Sequence, residues 1–241
     1  MQANPATESK GPTDWNAVNW RRAYRNVRAL RQRIFKAEQG GDRRKVRSLQ
    51  KLLLRSYSNT LVSVRQATQL NAGKDTVGVD RVVIRTPEAR GKLVDELMHD
   101  QPWCAKPVKR VYIPKSDGKR IRPLGIPTIG DRALQTRVKH ALEPQWEARF
   151  EANSYGFRPG RGTHDAIEAI FRLTCGDKPK KWIVDADIKG AFDNLSQEHI
   201  SQAIKGFPAR TLIHQWLKAG YLEKGWFCRN LLLASSPSQR G

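Results

Sequence analysis

The sequence holds only three cysteines, Cys104, Cys175 and Cys228, and they are scattered. They make no Cys-x-x-Cys pair and no even-numbered framework, which excludes a disulfide-stapled fold and suits a reducing cytoplasm. The five histidines (His99, His140, His164, His199 and His214) show no metal-ligand spacing. Long hydrophobic runs are absent, so no membrane contact is expected. Residues 1–13 are polar, carry two prolines and have no apolar signal region. A disordered tail is predicted there. Acid is scarce: 23 Asp and Glu stand against 44 Lys and Arg, a net charge of +21. A chain of 241 residues can bury a real core in one or two domains. Its charge favours a polyanionic partner, of which nucleic acid is the commonest.

The charge is concentrated. Trp20 to Leu70 contains 14 Lys and Arg and two acids, Glu38 and Asp42. Periodicity predicts a helix over 14–38, with Trp20, Ala23, Val27, Leu30 and Ile34 on one stripe and Arg21, Arg25 and Arg28 on a neighbouring one. Asp42 is a good N-cap for a second helix from Arg43 to about Thr68, which opens on Arg43, Arg44 and Lys45. Like charges at i, i+4 destabilise an isolated helix, so such stripes are solvated faces or await phosphates.

Further along, Asn71 to Asp80 (NAGKDTVGVD) reads as a glycine-containing loop, and Thr86–Pro87 opens a helix to about His99. The period then changes. In VKRVYIPKSDGKRIRPLGIP, residues 108–127, Asp117-Gly118 predicts a two-residue hairpin turn. That register pairs Ile113 with Arg122 and puts Lys115, Arg120 and Arg122 on one face at the tip. Val111, Ile113, Leu124 and Ile126 continue that face at the root. A helix over 131–143 should end before Pro144. After the loop YGFRPGRG (155–162), Thr163 caps a helix with Ile167, Ile170 and Phe171 inward. Trp182-Ile183-Val184 reads as a short buried strand, followed by helices after Ser196 and Pro208, the last reaching Gly220. The order is that of an α+β fold.

The sharpest chemical signal is WIVDADIKGAFDNL, residues 182–195. A carboxylate such as Asp187 at the end of an apolar strand needs a cation or donors. It either holds a hard divalent ion together with a backbone carbonyl, or caps a helix or pairs with Lys189.

Taken in order, these stretches resemble the polymerase blocks of group II intron and retron-type reverse transcriptases, from Asn71 to Leu195. With the basic helices, which resemble the family's N-terminal extension, the likeness runs from about Trp15 to Gly225. It implies right-hand polymerase fingers (71–180) and a partial palm with motif A (181–225), preceded by a basic helical extension (14–70). It implies that Asp187 binds two Mg²⁺ ions with the Ile188 carbonyl as a further ligand, for RNA-directed DNA synthesis from a primer and deoxynucleotides. Lys115 and Arg122 would hold the incoming triphosphate. Phe192 would exclude a ribose 2′-hydroxyl, or simply fill the core. Arg158 and Gly160 would approach the template, or form a tight turn with a solvated arginine. Arg21, Arg25, Arg28, Arg43, Arg44 and Lys45 are the candidates for contacting group II intron RNA. Asp185 and Asp193 are expected in hydrogen-bonding or capping roles.

The family pattern continues into a Pro-Gln-Gly block and a Tyr-x-Asp-Asp hairpin, and neither occurs in these 241 residues. The tail 226–241 does not resemble the family. One base along, a possible coding of Phe227-Cys228-Arg229-Asn230 reads Phe-Ala-Glu-Thr, so a frameshift near Gly225 is the expectation. With one motif aspartate, the chain alone is expected not to polymerise, and the strand carrying Asp187 is expected to lack sheet partners. A non-catalytic, structured-RNA-binding (splicing) protein is the alternative.

Overall fold

The computed structural model describes residues 12–99, 103–114, 118, 121–175, 180–188 and 194–228. Its core is a helical assembly, with a small mixed sheet beside it. The first helix, α1 (Trp20–Gln39), begins later than its periodicity suggests, because Asn19 caps it by accepting from Arg22 N. The preceding residues are nonetheless tied down. Trp15 is buried, and Thr13 donates from both its backbone N–H and its hydroxyl to Asp95.

Asp42 caps α2 (Arg43–Leu54), as expected. The predicted continuous helix is divided, however. Ser56 adopts an extended backbone and caps a new helix, α3 (Tyr57–Arg65), which passes into a wider π turn at Gln66–Leu70. A short hydroxyl side chain that can bond a free N–H favours that restart over continuation. Thr86 caps α4 (Pro87–Met98), with the proline at the first helical position.

Helix α5 (Ile129–Glu147) runs through Pro144 instead of ending before it. Pro144 is itself buried, and Gln50 of α2 donates to Ala141 O in the adjoining turn. Tertiary packing outweighs the missing N–H. One buried cluster joins α1, α2, α3 and α5 with Ile204 and Phe207; a second joins Trp15, α3, α4 and α5.

The sheet has the order β2-β1-β3-β4. Strands β1 (Val108–Pro114) and β2 (Ile121–Ile126) form the predicted hairpin, with Ile113 opposite Arg122 and Val111 opposite Leu124. A second hairpin replaces the expected helix end: after α8 (Arg210–Lys218) come β3 (Tyr221–Glu223) and β4 (Trp226–Cys228). Lys224 (φ 48°) and Gly225 (φ 89°) make its turn. Both central residues are left-handed, as a type I′ turn requires. Strand β3 lies parallel to β1, with Val108 opposite Tyr221.

Helix α6 (Thr163–Thr174) starts one residue earlier than expected, with Gly162 as its cap and Asp165 accepting from Gly162 N. Its apolar face is not inward: Ile167, Ile170 and Phe171 are all exposed. Ser196 caps the short α7 (Gln197–Ala203) as predicted. The three cysteines are free. Among the described residues no helix is long and apolar enough to cross a membrane.

Candidate nucleic-acid and nucleotide interface

The helical pair α1–α2 sorts its cations in two ways. Those that meet acid are turned to neighbouring helices: Arg31 reaches Glu143 at 2.5 Å, and Glu38 is bound by Arg149 at 2.5 Å and by Gln145. Arg21, Arg25, Arg28, Arg43, Arg44 and Lys45 are exposed, and among the described residues none of them forms an ion pair. On α2, Arg43, Arg44, Arg47, Ser48 and Lys51 line a groove of about 320 Å³. Arg47 is fixed there, because its Nε donates to Gly206 O at 3.0 Å. At the other end Arg65 stacks on Trp20, 4.4 Å from the ring centroid.

The ribbon has two distinct faces. Arg122 shares one with Val111, Ile113 and Leu124, since opposed residues project to the same side. Arg122 is exposed; Lys115, Ser116 and Arg120 lie outside the described residues. The other face ties the ribbon to the second hairpin. Tyr112 donates its hydroxyl to Glu223 at 2.6 Å, which pushes the phenol pKa up, and Arg110 stacks on Tyr221 at 4.0 Å.

The start of α5 positions both the ribbon and the loop 71–80. Asp131, 1% exposed, gathers four donors at one carboxylate: the indole N–H groups of Trp103 and Trp216, Lys106 N and the Thr128 hydroxyl. Its neighbour Arg132 donates to Pro127 O, Gly73 O and Thr76 O, at 3.0, 2.7 and 2.5 Å. One guanidinium thus clasps the loop to the root of β2. Gly78 lies so close there that a Cβ would stand 2.8 Å from Thr128 Cα. Sequence reasoning missed both residues. The signal lay in the adjacent Asp131-Arg132 pair just after the helix cap.

The turn expected around Gly160 exists, at φ 71°. Arg158 is not solvated in it. Its guanidinium is buried, paired with Glu147 at 2.6 Å and donating to Glu151 O and Ser154 O. Arg158 therefore shapes the loop from beneath and does not stand at its surface.

The segment 181–188 departs most from expectation. Trp182, Ile183 and Val184 are exposed, Trp182 by 93%, and form no strand. None of the four described strands pairs with them, so the run has no ladder partner among the described residues. Asp187 and Ile188 are exposed, and among the described residues Asp187 has no hydrogen bond or ion pair. Among the described residues no ion pair joins Asp187 to Arg122. Among the described residues no three His, Cys, Asp or Glu side chains gather as a metal site. A carboxylate and a backbone carbonyl, as at Asp187 and Ile188, are hard oxygens of the kind Mg²⁺ takes, and two of them do not complete its shell. Phe192 and Asp193 lie outside the described residues.

The same order of parts is found in known proteins. Residues 15–97 match the N-terminal domain of reverse transcriptase, and residues 113–239 match the reverse transcriptase (RNA-dependent DNA polymerase) domain. The chain belongs to the reverse transcriptase family. Among its relatives is Protein YkfC of Escherichia coli K12, 38% identical over 193 residues, covering 74% of this chain and 50% of YkfC. The group II intron-encoded protein LtrA of Lactococcus lactis is 39% identical over 158 residues, covering 64% of this chain and 26% of LtrA. Maturase-like protein 1 of Euglena gracilis is 30% identical over 190 residues, covering 77% of this chain and 41% of that protein. This reverse transcriptase chain thus spans half the length of YkfC and about a quarter of LtrA. The domain match runs to residue 239.

Proposed function

We propose that this chain is the RNA-gripping and nucleotide-gripping part of a group II intron-type reverse transcriptase. The basic helical extension (14–70) holds intron RNA, the fingers (71–180) hold template and deoxynucleotide, and 181–225 belongs to the palm. The observation that carries this reading is a cationic face of α1 and α2 that meets no acid among the described residues, set on a folded core in which Arg31 and Arg149 are matched to Glu143 and Glu38. Phosphates are the natural complement of such a face. A cytoplasmic location suits the free thiols.

For DNA synthesis, Lys115 and Arg122 orient the triphosphate from the ribbon tip, with Phe192 against the sugar. Arg158 keeps the template loop in shape through Glu147. Asp187 and the Ile188 carbonyl would hold Mg²⁺, which would supply charge neutralisation at the phosphates and activation of the primer hydroxyl. After Asp193 the only acids are Glu198 and Glu223, so the 241 residues alone are expected to bind RNA without extending a primer.

One observation favours a second, purely RNA-binding (splicing) role: the cationic helices stand on a buried core, whereas Asp187 is exposed and has no hydrogen bond or ion pair among the described residues. A salt titration of binding to structured intron RNA, run beside a primer-extension assay with Mg²⁺, tests both. Affinity should fall steeply with salt, with a log–log slope of roughly 0.7–0.9 per phosphate contacted. Replacing Arg43, Arg44 and Lys45 by serine should flatten that slope. Salt-insensitive binding would remove the RNA reading, and primer extension by this chain would remove the splicing-only one.

A further inference from the structure

The β1–β2 ribbon is a lever with a short fulcrum. Strand β1 pairs with β3 at Val108–Tyr221 and Lys109–Leu222, and the ladder ends there. On the other side of β1 lies β2, the edge of the sheet. Arg122, opposite Ile113, stands four residues beyond Lys109. At strand spacing that is an arm of about 13 Å, so a tilt of about 10° at the last ladder pair would carry Arg122 about 2 Å. A misplacement of about 1 Å in a positioning group can cost about a hundredfold in rate.

Two contacts beyond the ladder restrain that tilt. Arg110, Tyr112 and Pro114 alternate with Val111 and Ile113, so they occupy the face of the ribbon opposite Arg122. From that face the Tyr112 hydroxyl donates to Glu223 Oε1 at 2.6 Å, and the Arg110 guanidinium lies 4.0 Å from the centre of the Tyr221 ring. A hydroxyl donating to a carboxylate makes a short, strong bond. That bond holds the phenol pKa above its usual value, so Tyr112 stays a donor. Glu223 is fixed in turn, because it pairs with Trp226 across the Lys224–Gly225 turn. Gly220 lets this hairpin fold back so closely that a Cβ there would stand 2.5 Å from Cys228 O. Tyr112 is half exposed and belongs to neither buried cluster. What its bond to Glu223 sets is the angle of the ribbon.

We infer that Tyr112 and Glu223 are positioning residues for the incoming triphosphate: their hydrogen bond latches the back of the ribbon to the second hairpin and so fixes where Arg122 stands. This rests on the nucleotide-gripping reading above. The test uses the full chain with Mg²⁺ and 8-azido-deoxyadenosine triphosphate, whose saturable photolabelling reads affinity. The variants are Tyr112→Phe, Glu223→Ala, Glu223→Gln and the double variant Tyr112→Phe with Glu223→Ala. The half-saturating concentration should rise about three- to tenfold in Tyr112→Phe and in Glu223→Ala, as the fraction of chains with Arg122 in place falls. The double variant should lose no more than either single one, because both remove the same bond. Glu223→Gln should recover most of the loss, since its amide oxygen still accepts. Affinity for structured RNA and the thermal midpoint should stay as in the wild type. Unchanged labelling in Tyr112→Phe, additive losses in the double variant, or RNA affinity and midpoint falling together with triphosphate affinity would overturn the inference and leave the nucleotide-gripping reading standing. No saturable labelling of the wild type would overturn both.

Discussion

The indole N–H of Trp216 in α8 donates to the Asp131 carboxylate at the start of α5 over 2.9 Å. Trp103, just ahead of β1, donates to the same oxygen at 2.8 Å. Lys106 N and the Thr128 hydroxyl occupy the other oxygen. A buried anion is here held by donors alone, with no cation among them. It joins α8 to the segment that leads into the ribbon, which Gln215 also holds by accepting from Ala105 N. The orientation of the ribbon is therefore set from inside the helical core.

Removing that carboxylate should be costly. Asp131→Ala leaves two indoles, one amide and one hydroxyl without their acceptor in a dry site, and should lose on the order of 3 kcal/mol or more. Trp216→Phe removes a single bond and should lose about 1 kcal/mol. Urea midpoints measured on the two variants check the order; equal losses would show that the carboxylate is not a shared hub.

Acid should weaken the fold through His140. Burial, then the charge of Arg31, lowers its pKa to about 4, with Glu143 opposing and Lys139 adding to the effect. Asn59 fixes the tautomer: its amide donates to Leu53 O and Arg137 O, so its oxygen must accept from His140 Nδ1 at 2.7 Å. The unfolded histidine titrates near 6.5, so between that pH and about 4 the unfolded chain binds more protons. The contribution is complete above about pH 6.5 and is lost as pH falls towards 4, by up to about 3 kcal/mol. Unfolding free energies across that range should show the slope, and His140→Gln should flatten it.

Arg132 should govern one loop more than the whole. Three separate nitrogens of Arg132 meet the three carbonyls, a spread that the single nitrogen of Arg132→Lys cannot span, so hydrogen exchange at 71–80 should quicken while the helical core changes by about 1–2 kcal/mol. Gly78→Ala places a methyl against Thr128 and should cost about 1–3 kcal/mol. Exchange that quickens equally in α1 and α2 would argue against a local clasp.

Asp187 offers the opposite case. Exposed, and without an ion pair among the described residues, it should be replaceable by asparagine with less than about 0.5 kcal/mol change in stability. A thermal midpoint that falls by several degrees would mean that the carboxylate has a structural partner.

Much of this was legible in the sequence, and the exceptions share causes. The caps at Asp42, Thr86 and Ser196, and the Ile113–Arg122 pairing, follow from local chemistry that no distant residue alters. Pro144 stays helical and Arg158 turns inward because of contacts with α2 and Glu147, which periodicity does not encode. The Lys224–Gly225 turn was readable as a hairpin signal but lay hidden against the helix before it. An apolar stripe states that α6 and Trp182–Val184 have a face suited to burial, not that anything covers it. The exposed, unpaired Asp187 segment follows from the same gap between pattern and partner.

The parallel pairing of β1 with β3 also imposes an order of events on the chain as it folds. Each hairpin closes across a turn of a few residues and can form within microseconds. Their union needs residues such as Tyr112 and Glu223, 111 positions apart, to meet. That closure carries an entropic cost on the order of 4 kcal/mol before the new contacts compensate for it. The ribbon should therefore exist early and swing freely, and acquire its fixed direction only when the second hairpin docks, making that docking the slow and concluding event of folding.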